Sequence, residues 1–414
     1  MIVTDFFSEN SAFFIFVLLL SLFLFYKREN LAIQGRFPIL YMLMYRTSLG
    51  LDKMKRWSQK YKRTYLALAF LCIFVGVVGI FLSLGLMIYS LDMVLKADLS
   101  SGGGLVLPLK TQSGLDGAVP IFYVPFWYWI VSLFVIVVVH EFAHGVIAER
   151  FNIKIKSSGF AFGALFLPIL PAAFVEPDEK DLRKKPRWQQ IAVMGAGSTS
   201  NFLFGFLFLA LFLFAAEPLL HSSMEVSEVS FNGVMNESEL KAFGINEGSI
   251  QSIDGKAVSE FEFVVLDSFS GQRVLLPYLY NLSEQENVTL SIEHNGLLEE
   301  VSISPFFSEE ANRSLLGITN FAVGLDNKDD KTWLGNFPLY LRTLLNYLVL
   351  LSIGIGIMNL LPLWITDGGQ IAFLMISKVI RNEETALRTY NLVSFLSLCL
   401  ILLVVWPGII KSLL

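Results

Sequence analysis

The residues best placed to do chemistry are His140-Glu141-Phe142-Ala143-His144. Two histidines four positions apart stand one above the other on a helix face, so both imidazoles can bind a single ion. The glutamate beside the first histidine can then take a proton from a water held at that ion. Zinc suits the set, because it accepts imidazole nitrogen and carboxylate oxygen and lowers the pKa of bound water to about 7. The chain has four histidines, and this motif takes two of them. The preceding run, Val131 to Val139, is almost wholly apolar. Ionisable groups in such a helix cost several kcal/mol unless they face an interior site, and by default they are functional.

A catalytic zinc usually takes three protein ligands and leaves one position open. Asp367 is the candidate with the most site-like context for the third ligand, a helix-end cap or surface charge being the other reading. It follows Asn359-Leu360-Leu361-Pro362, where the proline should end a helix, and it precedes Gly368 and Gly369, which are expected to turn the backbone sharply. Two other acidic residues sit in less site-like places: Glu176 on a loop and Glu217 at a helix end.

These residues need a scaffold, and the composition says what kind. The chain has 414 residues, 54% hydrophobic and only 16% charged. That balance places most of it in lipid. A formal net charge of -5 and the lack of a basic–aromatic repeat exclude a general nucleic-acid binder. Two cysteines in apolar runs, Cys72 and Cys399, read as buried hydrophobes with no disulfide or zinc role.

Hydropathy predicts about six transmembrane helices: 11–26, 65–91, 126–148, 191–216, 339–361 and 390–410. The piece 160–175, which holds Gly163, Pro168 and Pro171, is expected as a hairpin or re-entrant segment. Ten Lys and Arg against two acidic residues lie between the first two spans. The loops after the third and fifth spans are basic as well. By the positive-inside rule these loops are cytoplasmic, both termini lie outside, and the first span is a retained anchor. His140 is about 22 Å along its helix at 1.5 Å per residue, which puts the site toward the cytoplasmic side.

Residues 221–336 form a polar insert with nineteen Asp or Glu and six Lys or Arg. The span alternation places it outside the cell membrane. All four Asn-x-Ser/Thr triplets of the chain, at Asn236, Asn281, Asn287 and Asn312, fall within it. Val288–Ile292 and Glu300–Ser304 flank Asn295-Gly296, a hairpin signal. The run GINEGSIQSIDGKAV, from Gly244 to Val258, resembles a PDZ domain. The expected fold class is thus an α-helical polytopic membrane protein with an inserted small α/β PDZ-like domain. Its parts are 1–125, two N-terminal helices; 126–220, the first part of the catalytic core; 221–336, the insert; and 337–414, the second part of the core with the C-terminal helix. A peptide ligand binding the insert by strand addition is one reading; a spacer or size filter is the other.

The HExxH helix followed by Asn359-x-x-Pro362-x-x-x-x-Asp367-Gly368 resembles the site-2 protease family of intramembrane zinc metalloproteases. Gly195-Ala196-Gly197-Ser198-Thr199-Ser200-Asn201 looks like that family's glycine–asparagine segment, with Ser198 where many members have proline. Ala172–Glu176 looks like its loop after the catalytic helix. Residues 363–366 depart from the proline-rich pattern of many relatives, which bears on the substrate groove. The resemblance covers residues 126–370. It implies Zn2+ held by His140, His144 and Asp367, with Glu141 as catalytic base. It also implies hydrolysis, in regulated intramembrane proteolysis, of a membrane-anchored protein substrate. Asn201 and Asn359 are candidates for binding substrate backbone or an oxyanion, or for helix packing beside small residues. The substrate must unwind locally, and an edge strand within 154–162 is expected to hold it extended. Two rivals stand: a CAAX-type membrane zinc protease with a glutamate as third ligand, and an inactive membrane scaffold.

Overall fold

The computed structural model describes residues 10–36, 40–96, 105–107, 121–165, 167–268, 271–280, 287–308, 313–318 and 321–413. The triplets at Asn281 and Asn312 lie outside this set. Contacts divide the chain into two compact units, 1–211 with 344–414, and 212–343.

The first unit is built on long apolar helices. In chain order they are α1 (Ser11–Tyr26), α2 (Leu51–Lys60), α3 (Lys62–Lys96), α4 (Phe126–Arg150), a short α5 (Glu179–Arg183) and α6 (Arg187–Leu211), which continues through a π-turn (Phe212–Ala216) into α7 (Glu217–Ser223). Later in the chain come α8 (Phe337–Leu360), whose first turns belong to the second unit, α9 (Asp367–Val379) and α10 (Glu383–Leu413). Among the described residues five helices are long and apolar enough to cross a membrane, not six. The exception is α1. Its 16 residues extend about 24 Å at 1.5 Å per residue, short of ~30 Å of hydrocarbon. Outward-facing Phe74, Phe81, Phe206 and Phe395 are all more than half exposed, as lipid-facing side chains should be.

The helices approach closely where glycines meet. Gly76 on α3 faces Gly195 on α6, and a Cβ on Gly195 would overlap the Cys72 carbonyl. Small residues of this kind let backbones pack without large side chains between them. The buried stretch of α6 from Ala192 to Asn201 therefore lies deep among α3, α4 and α9. Ile80, Ile147, Val193 and Ile371 form part of the surrounding core.

A four-stranded sheet accompanies the helices, in the order β1 (Leu31–Arg36), β2 (Leu40–Thr47), β5 (Ile155–Leu165), β6 (Leu167–Pro177). β3 (Leu105–Leu107) and β4 (Ile121–Tyr123) form a separate parallel pair. The segment expected as a hairpin or re-entrant piece is the antiparallel hairpin β5–β6. One detail is corrected. From Ser158 to Phe162 the strand is not an edge, because β5 there pairs with β2 on one side and β6 on the other, whereas 155–157 pair with β6 alone. The edges are β1 and β6. Hydropathy missed this because β1 and β2 come from the linker after α1, more than a hundred residues away in sequence.

The second unit is mainly β. Its main sheet runs β13 (Leu297–Ile303), β12 (Val288–His294), β8 (Gly248–Ile253), β7 (Met224–Phe231), β16 (Phe321–Asn327), with β9 (Lys256–Ala257) paired to β8. Two small hairpins flank it: β10 (Val264–Ser268) with β11 (Gly271–Leu275), and β14 (Phe306–Ser308) with β15 (Arg313–Leu315). Asn295 and Gly296 have φ of 53° and 76°, as a two-residue hairpin turn requires. Alternate strand residues such as Val226, Ile253, Leu290 and Ile292 fill the core. From 224 to 336 the described helical pieces are 3₁₀ turns only. The insert expected as α/β is thus a β-sheet region, and the helix that would flank a PDZ peptide groove is not among them. Arg342 is buried here, with its Nε 2.9 Å from Glu217 Oε1. Glu217 is thereby a structural partner, outside the metal cluster.

Candidate metal centre

The site forms where α4, α6 and α9 meet. His140 and His144 project from one face of α4, as their four-residue spacing demands. Asp367 arrives from the other part of the core by a specific piece of local structure. α8 ends at Leu360, ahead of Pro362, and α9 begins with Asp367 as its first residue. Thr366 caps α9. Its hydroxyl accepts from Gly369 N–H at 3.2 Å and donates to the Leu361 carbonyl at 2.5 Å. The expected sharp turn at Gly368-Gly369 is absent: both are helical, with no positive φ. They are glycines for another reason. A Cβ at either position would overlap the Leu360 or Leu363 carbonyl, so the small residues let α9 start directly against the end of α8.

The three ligand atoms converge. His140 Nε2 and His144 Nε2 are 3.1 Å apart, and each lies 3.2 Å from Asp367 Oδ2. A tetrahedral ion with bonds of about 2.0–2.1 Å needs ligand atoms roughly 3.3 Å apart, so the set fits zinc. His144 Nδ1 lies 2.7 Å from the Val193 carbonyl. It must donate there, which leaves the Nε2 lone pair facing the cluster. Asp367 Oδ2 is buried with no hydrogen-bond donor. Lone pairs crowded in this way need a cation between them. The three residues are the one group of this kind among the described residues.

Glu141 lies beside the cluster. Its Oε2 accepts from the Val175 N–H at 2.9 Å. Val175 lies on β6, an outer strand of the sheet among the described residues. Glu141 also lines an open cleft of about 370 Å³ with Met54, Ser158, Gly159 and Val175. Asn201 is 1% exposed, and its Nδ2 is 3.2 Å from His140 Nδ1. Asn359 is half-buried on α8. Glu176 accepts from Ser157 Oγ and pairs with Arg46 on the sheet, away from the metal ligands.

Several residues went unseen in the sequence. Gly197 is one: a Cβ there would overlap the imidazole tips of both His140 and His144. It stood within a recognised glycine segment, but nothing local showed what it faces. Val193 and Val175 act through backbone atoms, which carry no identity signal. Thr366 could have been found, since Thr before Asp at a helix start is a capping pattern. Thr366→Ala should destabilise the protein by about 1–2 kcal/mol and speed zinc release through Asp367. Thermal unfolding with and without chelator measures both.

Comparison with known proteins agrees with this geometry. The family described as Peptidase family M50 matches residues 128–404. The chain is similar to a zinc metalloprotease RasP of Shouchella clausii, at 26% identity over 58% of this chain and 64% of the relative. It is similar also to the regulator of sigma-W protease RasP of Bacillus subtilis, at 23% identity over 57% of this chain and 62% of the relative. The chain thus spans under two thirds of the length of these two relatives. The family match covers well over half of this chain, including both histidines, Glu141 and Asp367, and the chain accordingly belongs to peptidase family M50, the site-2 family of membrane-embedded zinc metalloproteases.

Proposed function

We propose that this protein cuts membrane-anchored proteins within the bilayer, with His140, His144 and Asp367 holding zinc and Glu141 moving the proton. The observation that carries this reading is the mutual 3.1–3.2 Å spacing of three donor atoms beside a glutamate on an apolar helix. Zinc, when bound, supplies Lewis acidity for water and for the scissile carbonyl. Glu141 takes the proton of the attacking water and returns it to the leaving amine. The Val175 N–H keeps the Glu141 carboxylate aimed while leaving its second oxygen free. An unwound substrate segment adds to the free edge of β6, where its backbone polar groups find partners in lipid.

Asn201 fits a positioning role behind His140 better than an oxyanion role. With Nε2 toward zinc, His140 Nδ1 carries hydrogen and needs an acceptor. Asn201 Oδ1 is buried with no partner, while its Nδ2 faces Nδ1. Exchanging the two ends of the amide, a choice set by the hydrogen-bond network, turns Oδ1 to His140 Nδ1 and gives its hydrogen an acceptor. Asn201→Ala should then weaken zinc affinity by about 10–100-fold, and Asn201→Asp should keep it. Zinc titration distinguishes this from an oxyanion donor, whose loss would lower kcat at unchanged affinity.

The basic loops favour a site on the cytoplasmic side and the β-rich insert outside. Suitable substrates are the cleaved anchor of a transcription factor, that of an anti-sigma factor, or remnant signal peptides. The sigma-W regulator among the relatives favours the second class. Comparing membrane-retained fragments in cells carrying wild type or Glu141→Gln tests the reading. Substrate stubs should accumulate only with the variant, and identical fragment patterns would refute it.

A further inference from the structure

Helix α2 does something that the metal centre does not require. The chain from Asp52 to Arg63, through α2 and into the first turn of the membrane helix α3, carries six Lys or Arg and one acid, Asp52. One face is committed. Met54 and Ser58, four apart, are buried. Met54 packs over Gly145, next to His144, so closely that a Cβ on Gly145 would overlap its sulfur. Trp57 meets Phe142, next to Glu141, edge-on at 5.4 Å. Lys53 and Met54 line the Glu141 cleft. The helix thus lies across α4 at the catalytic motif and forms one wall of the opening to it.

The other face is open and cationic. Lys53, Lys55, Arg56 and Lys60 are exposed, as are Lys62 and Arg63. Among the described residues none of the six makes an ion pair. Tyr61, one residue after the helix, and Trp57 are also exposed. Aromatic rings beside lysines and arginines at the end of a span mark the headgroup level of a bilayer. Because α3 enters the membrane two residues after α2 ends, this cationic face is held at that level. A basic cluster so placed attracts anionic headgroups.

We propose that the exposed face of α2 binds anionic phospholipid headgroups, and that this contact sets how firmly α2 closes over the Glu141 cleft. The occupant is lipid rather than protein because the face is cationic, bears interfacial aromatics and is covalently tied to the lipid surface by α3. The bilayer is then a regulator of cleft access as well as the medium of the reaction.

The test uses the full chain in nanodiscs of phosphatidylcholine, alone or with phosphatidylglycerol. Backbone hydrogen exchange is read over residues 51–60 and 138–146. Both segments should exchange about tenfold more slowly with the anionic lipid, the size expected from one or two headgroup contacts, and high salt should remove the difference. The K55Q/R56Q/K60Q variant should exchange alike in both lipids and K55R/K60R should follow wild type, each with unchanged zinc content to report an intact core. Equal exchange of wild type in the two lipids would overturn the proposal. So would a lipid response that survives in K55Q/R56Q/K60Q, or protection in neutral lipid that appears only on adding an acidic peptide.

Discussion

Glu141→Gln will lower peptide-bond hydrolysis by at least about 10²–10⁴-fold, the usual contribution of general acid–base catalysis, while zinc content stays near that of wild type. The reason is local. A glutamine oxygen can still accept from the Val175 N–H that holds Glu141 Oε2 at 2.9 Å, so the side chain keeps its place. The amide has no basicity for the proton that leaves water and none to hand to the amine. None of the three metal-cluster residues changes. Purified protein in detergent or vesicles, assayed for cleavage and for metal by mass spectrometry, gives both numbers. Turnover close to wild type would remove Glu141 from the chemistry and require another base.

Asp367→Ala is the second large effect: zinc stoichiometry should fall from about one to well below one after dialysis, with activity lost in parallel. Two imidazoles remain, but three protein ligands are the norm for a catalytic zinc. The substitution also removes the carboxylate that balances the ion's charge in a buried place. The fold should survive, since Thr366 still caps α9 through the Gly369 N–H. His144→Ala should behave alike. An Asp367→Ala protein that holds full zinc would point to a glutamate ligand of the CAAX type, and a wild-type protein without stoichiometric zinc would favour an inactive scaffold. The meeting of Asp367 with both histidines, in a chain of family M50, argues against both.

The two substitutions act on separate parts of one centre. Metal retention without activity in the first, and loss of both in the second, would separate proton transfer from ion binding. Gly197 adds a steric check, because any larger residue there meets both imidazoles.

The chemistry was legible in the sequence because it is local. Residues four apart share a helix face whatever else the chain does, so His140 and His144 could be paired and Glu141 placed beside them from spacing alone. The long apolar runs likewise announce helices in lipid, although the run 11–26, expected as a sixth span, is shorter than the other five. Asp367 was reached by joining a helix break to a carboxylate, although the glycines after it proved to permit close helix packing and not a turn.

Tertiary structure decided what depends on partners far away in the chain. The pairing of β1 and β2 with β5 and β6 is a register between segments over a hundred residues apart, and no local periodicity encodes it; it moved the free edge from β5 to β6. The Val193 carbonyl that orients His144 and the Val175 N–H that holds Glu141 are backbone atoms: every residue type offers the carbonyl, and every type but proline the N–H. Gly197 and Asn201 gain meaning only when α6 is packed against α4, because the space a side chain lacks, or the imidazole it meets, belongs to another helix.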